Sequence, residues 1–119
     1  MSIFDFFRSK NPTTQDHVSF TGEMVTHVRS DGVEENIRWD DLYEVGILTT
    51  DEGPWSEDVY FLLLAADRKS GCGVPQSSKG CKELLARLQQ LPGFDNEAVI
   101  KAMGSTSNAK FVCWQRSVA

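Results

Sequence analysis

The apolar residues of this chain change their spacing once, near Ser77, and that switch limits what it can fold into. Before the switch the period is two, the mark of strands; after it the period is 3.6, the mark of helices. Val18, Phe20, Met24 and Val28 share one parity against Ser19, Glu23, His27 and Arg29. That pattern describes one half-buried strand, or two strands joined near Gly22, where a bulge is expected. Ser30-Asp31-Gly32 is a turn, since Asp and Gly accept positive φ at little cost, and Val33, Ile37 and Trp39 then recur at odd positions as a hairpin partner. Tyr43, Val45, Ile47 and Thr49 begin another alternating strand. Val59 to Ala66 is apolar on both parities, which predicts cover on both faces and a central place. Cys72 to Pro75 is a short strand whose proline puts it at an edge or terminus.

Beyond the switch, Cys81, Leu84, Leu85 and Leu88 fall at i, i+3, i+4 and i+7, an amphipathic helix with Ser77 or Ser78 as its N-cap. Leu91-Pro92-Gly93 stops it. Asp95 caps a second helix, with Phe94 and Val99 at the spacing of a hydrophobic staple and Gly104 at the C′ position. Phe111, Val112, Cys113 and Trp114 favour a last strand. Strands first and helices afterwards predict an α+β fold: a mainly antiparallel curved sheet or partly open barrel of about 5–7 strands, packed against two C-terminal helices. A length of 119 residues suits one core. Residues 1–15 read as an aromatic N-terminal peptide and linker, and 16–119 as a single domain.

The order from Ile37-Arg38-Trp39-Asp40-Asp41-Leu42-Tyr43-Glu44-Val45 through Val74-Pro75 to the helix of Leu84 to Leu91 resembles the pleckstrin-homology-like domains of small bacterial proteins. The resemblance is one of architecture and covers about two-thirds of the chain. It implies a strongly curved antiparallel sheet closed by an amphipathic helix. No site residue comes with it, because such modules share a scaffold and not a site.

Charge is unevenly spread. The net charge is −5, yet Asp16 to Asp67 holds thirteen acids against Arg29 and Arg38, while Arg68 to Ala119 holds eight bases against Glu83, Asp95 and Glu97. An acidic chain of this kind is a poor nucleic-acid binder. No apolar run reaches the roughly 18 residues of a spanning helix, so stable membrane insertion is not expected. The N-terminus carries its basic residues after its apolar ones, the reverse of a secretory signal. Together with three cysteines in no zinc or redox spacing, this points to reduced thiols and a cytoplasmic location. His17 and His27, on the parity opposite Val18 and Phe20, are expected on the solvent face without a catalytic role. Gly71-Cys72-Gly73 lacks the Lys-Ser/Thr of a phosphate loop, and Asp51 to Asp58 lacks the alternating ligands of a calcium loop. Neither a catalytic residue, a metal nor a cofactor is expected.

Two features fit binding. Trp55 lies between Asp51, Glu52, Glu57 and Asp58, an aromatic anchor with an acidic rim that would steer a basic partner. Its ring otherwise folds back over Tyr43 or Tyr60. Ile3, Phe4, Phe6 and Phe7, followed by Arg8 and Lys10, would dock on a partner, on a second copy, on a membrane surface or on the chain's own sheet. The leading expectation is a non-enzymatic cytoplasmic protein-binding module presenting an acidic face, such as an immunity-type inhibitor of a basic toxin. Two alternatives stand beside it. One is a small ligand-binding or enzymatic domain with a pocket between helix and sheet, using Cys72 or Cys113. The other is a structural protein that forms homo-oligomers through its aromatic N-terminus.

Overall fold

The stretch from His17 to Val28 folds as two strands, β1 (His17–Phe20) and β2 (Met24–Val28), joined by a tight turn. Thr21 builds that turn: its N–H donates to the Met24 carbonyl, and its hydroxyl accepts from the N–H groups of Glu23 and Met24. Phe20 faces Val25 across the ladder and Val18 faces His27, so the buried parity changes from even to odd at the turn. His27 is therefore on the inner face, 1% exposed, and the expectation of a solvent-facing ring there is overturned. His17 is exposed, as its parity requires. β3 (Glu34–Arg38) follows the Asp31-Gly32 turn and completes a three-stranded antiparallel sheet in the order β1-β2-β3.

A single 3-10 turn over Trp39–Asp41 leads to the second sheet. It consists of β4 (Glu44–Thr49), β5 (Val59–Leu64), β6 (Gly71–Pro75) and β7 (Ala109–Gln115), all antiparallel, in the order β6-β5-β4-β7. The computed structural model describes residues 15–51 and 59–116. β5 occupies the interior place its composition predicts, and β6 the edge that Pro75 predicts. β4 is more enclosed still, with Glu44, Val45, Gly46 and Ile47 all buried, because β5 and β7 flank it and α2 packs against it. The β4–β7 register shifts between Val45 and Gly46, where Cys113 bulges out of the ladder.

The helices are α1 (Cys81–Leu88) and α2 (Asn96–Met103). Leu84 and Leu88 are fully buried against the core of Val18, Val25, Ile37, Phe61, Leu63 and Val74, each contributing roughly 1.5–3 kcal/mol of burial. The N-cap position of α1 falls at neither Ser77 nor Ser78. Gly80, at φ +91°, is the N-cap, and the Ser78 carbonyl rather than its hydroxyl accepts from the Cys81 N–H. Asp95 does cap α2, its carboxylate accepting from the Ala98 N–H at 3.1 Å. Gly104 ends α2 in a right-handed conformation, bonded to the Ile100 and Lys101 carbonyls, so no left-handed C′ residue is needed there. The chain is thus α+β, two antiparallel sheets with two helices between the sixth strand and the last. Among the described residues no hydrogen-bonded ladder joins β3 to β6, and the sheets do not close into a barrel.

Candidate functional site

β3 and β6, the free edges of the two sheets, run side by side. At one point a buried polar cluster ties them. The His27 Nδ1 lies 2.7 Å from a Glu35 carboxylate oxygen and its Nε2 2.7 Å from one of Asp16. The same Glu35 oxygen accepts the Gly73 N–H of β6 at 3.1 Å, and Asp16 accepts the Ser30 N–H at 3.2 Å. An ionised carboxylate only accepts, so both ring contacts are hydrogen bonds when both ring nitrogens carry protons. The His27 ring is enclosed while the two carboxylates keep partial access to solvent, and the cluster fastens β1, β2, β3 and β6 to one another.

Beyond this tie the seam splays into a cleft of about 540 Å³. Asn36, Ile37 and Arg38 form one wall and Ser70 and Gly71 the other; Asp40, Asp41, Tyr43, Asp67 and Arg116 lie around the mouth. Arg116 is committed to the scaffold, its guanidinium donating to the Leu42 and Trp39 carbonyls at 2.8 Å each. Asp67 holds the β5–β6 turn by accepting from the N–H groups of Ser70 and Lys69 and from the Ser70 hydroxyl, which keep its carboxyl below the usual range. Arg68, at φ +59°, turns its guanidinium over the Tyr43 ring, 5.3 Å from its centre, and onto Glu44.

Glu44 gathers charge from the basic half of the chain: Lys110 at 2.6 Å, Arg68 at 3.2 Å and the Gln115 amide at 3.1 Å, with its own side chain 2% exposed. Burial alone would raise this carboxyl, but the contacts with Lys110 and Gln115 and the charges of Lys110 and Arg68 bring it below its ordinary 4.5. A folded value below the unfolded one gives stability that is full above the unfolded value and lost as pH falls through the folded one. Lys110→Met is expected to cost about 2 kcal/mol at neutral pH and to flatten that acid-side loss. Urea unfolding near neutrality and again at about pH 3 measures both; an unchanged difference between the two would refute the assignment.

Of the residues expected to bind a partner, Asp51 is the one the structure places, and it lies away from the cleft. Asp51 is exposed, and its N–H donates to the Asn108 side chain at 3.2 Å, beyond the Thr49 end of β4. The cleft borders Tyr43, before the Glu44 end, so six strand residues, roughly 20 Å, separate them. Glu52, Trp55, Glu57 and Asp58, and likewise Ile3, Phe4, Phe6 and Phe7, lie outside the described residues. All three cysteines are buried free thiols. Burial, with Glu35 nearby, pushes Cys72 up to about 12, and burial, with Asp95 nearby, pushes Cys113 up to about 11, so neither is a nucleophile near neutral pH. The described residues contain no cluster suited to a metal and no helix long and apolar enough to cross a membrane. The alternation rule by itself did not single out Asn36, Arg38 and Gly71. The signal for them is the outward register of an edge strand, which becomes legible once the hairpin pairing is known.

Comparison with family models, curated proteins and solved structures finds no match to this chain.

Proposed function

We propose that this chain is a non-enzymatic protein-binding module that presents an acidic surface to a basic partner, with inhibition of a cationic protein such as a nuclease as its concrete form. One observation supports this reading above the others: the two halves of the chain use their charges differently. Four bases of the second half are engaged by groups of the fold even where they remain exposed, Arg68 and Lys110 on Glu44, Arg87 over Trp39 at 4.3 Å, and Arg116 on the Trp39 and Leu42 carbonyls. Meanwhile Asp31, Glu34, Asp40, Asp41, Asp51 and Asp67 are exposed, so the outward field of the strand half stays negative. Six strands followed by an amphipathic helix also favour reading the scaffold as an opened pleckstrin-homology-like arrangement, to which α2 and β7 are additions.

Charge-steered association weakens with salt. Titration of the full chain with a panel of small cationic proteins, a nuclease among them, is expected to give binding at about 20 mM salt that falls at least about tenfold by about 300 mM. The double substitution Asp40→Lys with Asp41→Lys is expected to weaken it further. Absence of binding across the panel, or binding indifferent to salt, would overturn the reading.

A further inference from the structure

The cleft between β3 and β6 is bounded by strand backbone that nothing in its own sheet uses. On β3 the Trp39 N–H donates to Glu23 and the Arg29 N–H to Val33, which fixes the ladder bonds between them at Val25 with Ile37 and at His27 with Glu35. The N–H and C=O groups of Glu34, Asn36 and Arg38 consequently point away from β2. On β6 the bonds Ala65 N–H to Ser70 and Gln76 N–H to Val59 place the ladder at Leu63 with Cys72 and at Phe61 with Val74. Gly71, Gly73 and Pro75 then face outward. Two independent facts agree with this register: the Gly73 N–H is the one taken by Glu35, and Pro75, which has no N–H to offer, sits at an outward position.

Exposed strand edges are normally blocked, and here most of them are. β1 is covered by Lys79, whose carbonyl accepts the Val18 N–H and whose N–H donates to Asp16. β7 is bent by its bulge and crossed by Asp95, whose N–H donates to the Cys113 carbonyl. β6 is closed at Gly73 by Glu35 and at Pro75 by proline. An open stretch borders the cleft, where the backbones of Asn36 and Arg38 on one side and Gly71 on the other meet no partner among the described residues.

We propose that this cleft accepts an extended segment of a basic partner protein, which adds a short strand to the free edge of β3 at Asn36 and Arg38. The proposal rests on the acidic-module reading and says where on the module the partner engages. Main-chain hydrogen bonds supply the register, and alternate side chains of the guest reach the rim. The rim favours Lys or Arg by a margin of one charge: Asp40, Asp41 and Asp67 border the cleft against Arg38, which lies 3.9 Å from Asp40, and Arg116, whose donors are held by the Leu42 and Trp39 carbonyls. A guest stretch of about three to four residues, roughly 10–13 Å long, matches the open edge.

The test uses the isotope-labelled full chain and an alternating Lys-Val hexapeptide, with its Glu-Val counterpart as control. Binding of the Lys-Val peptide is expected to shift the amide resonances of Asn36, Arg38 and Gly71 and to slow exchange of the Asn36 and Arg38 amides at least about tenfold, while the Glu-Val peptide leaves them unchanged. Asn36→Pro removes an outward N–H without touching the ladder and is expected to weaken binding about tenfold. Asp40→Lys with Asp41→Lys, on fully exposed side chains, provides a second variant that does not depend on strand geometry. Shifts confined to acids away from the cleft, such as Asp31 and Asp51, would overturn the strand-edge proposal and leave the acidic-module reading standing. No shift anywhere would overturn both. Contacts between residues 1–14 and the Asn36 or Arg38 amides in the peptide-free chain would assign the edge to the chain's own N-terminus and overturn the partner proposal.

Discussion

His27→Ala is expected to destabilise the fold by about 3–5 kcal/mol, the range for emptying a buried ring site, with the loss of two hydrogen bonds included. The ring is 1% exposed and its two nitrogens each meet a carboxylate oxygen at 2.7 Å. Alanine leaves Asp16 and Glu35 facing each other across a cavity, with only partial access to water at 19% and 27% side-chain exposure. The effect reaches past the three-stranded sheet, because the Glu35 oxygen that holds the ring also holds the Gly73 N–H. Loss of the ring frees Glu35 to turn outward and unfastens β3 from β6. Urea unfolding monitored by tryptophan fluorescence measures the cost. A triple variant, Asp16→Asn, His27→Leu and Glu35→Gln, removes the opposed charges together and is expected to recover part of it, since replacing all partners costs less than stranding some of them. Single and triple variants of equal stability would show that lost packing, not stranded charge, dominates.

The position of this cluster explains what the sequence made legible and what it did not. The change of period near Ser77 separates six strands from two helices, and most elements fall where alternation, glycines, prolines and the Asp95 cap put them. The sequence left His17 to Val28 as one strand or two with a bulge, carried the third strand to Trp39, which begins a 3-10 turn, and put the α1 cap at Ser77 or Ser78 instead of Gly80. The inner face of β2 did not follow, because alternation carries a face along one strand only. Across a hairpin the face depends on the sum of paired positions: Val18 with His27 gives an odd sum and reverses the parity, whereas Val25 with Ile37 gives an even sum and keeps it. The Thr21-Gly22-Glu23 turn decides between these outcomes through the Thr21 hydroxyl, which hydropathy does not register. Given the Asp31-Gly32 turn, Glu35 could have been placed opposite His27. Asp16 and Gly73 could not, because they reach the ring from elements far apart in the chain.

Charge segregation was legible as a difference between two halves, and the fold gives it a cause. Glu44 sits on β4 beside β7: strand pairing puts Gln115 opposite it, while Lys110, paired with Leu48, reaches it by laying its side chain over Gly46. The helix side contributes differently: Arg87 stacks on Trp39, which in turn meets Phe20 edge-on at 6.2 Å and donates its indole N–H to the Thr21 carbonyl. These uses of base leave the cleft rim acidic, and they could not be assigned from sequence because each needs a long-range register.

Gly80→Ala is expected to be the most damaging conservative change in the helical half, costing more than about 3 kcal/mol or preventing folding. Gly80 has φ +91°, and a Cβ there would lie 2.1 Å from the Val18 carbonyl oxygen, a backbone atom that cannot swing aside as a side chain does. Gly93 is the internal control. It also has positive φ, at +78°, but a Cβ there meets nothing within 4 Å, so Gly93→Ala carries only the conformational cost of about 1–2 kcal/mol. The difference between the two variants isolates the contact of the α1 entrance with β1. That contact is also the route to the buried cluster, since the Val18 N–H donates to the Lys79 carbonyl and the Lys79 N–H to the backbone carbonyl of Asp16, the residue whose carboxylate holds the His27 Nε2. If Gly80→Ala folds at all, the His27 ring proton resonances are therefore expected to shift in it and to stay in place in Gly93→Ala. Equal stabilities for the two variants, or an undisturbed ring in a destabilised Gly80→Ala protein, would separate the α1 entrance from the seam and refute the coupling between them.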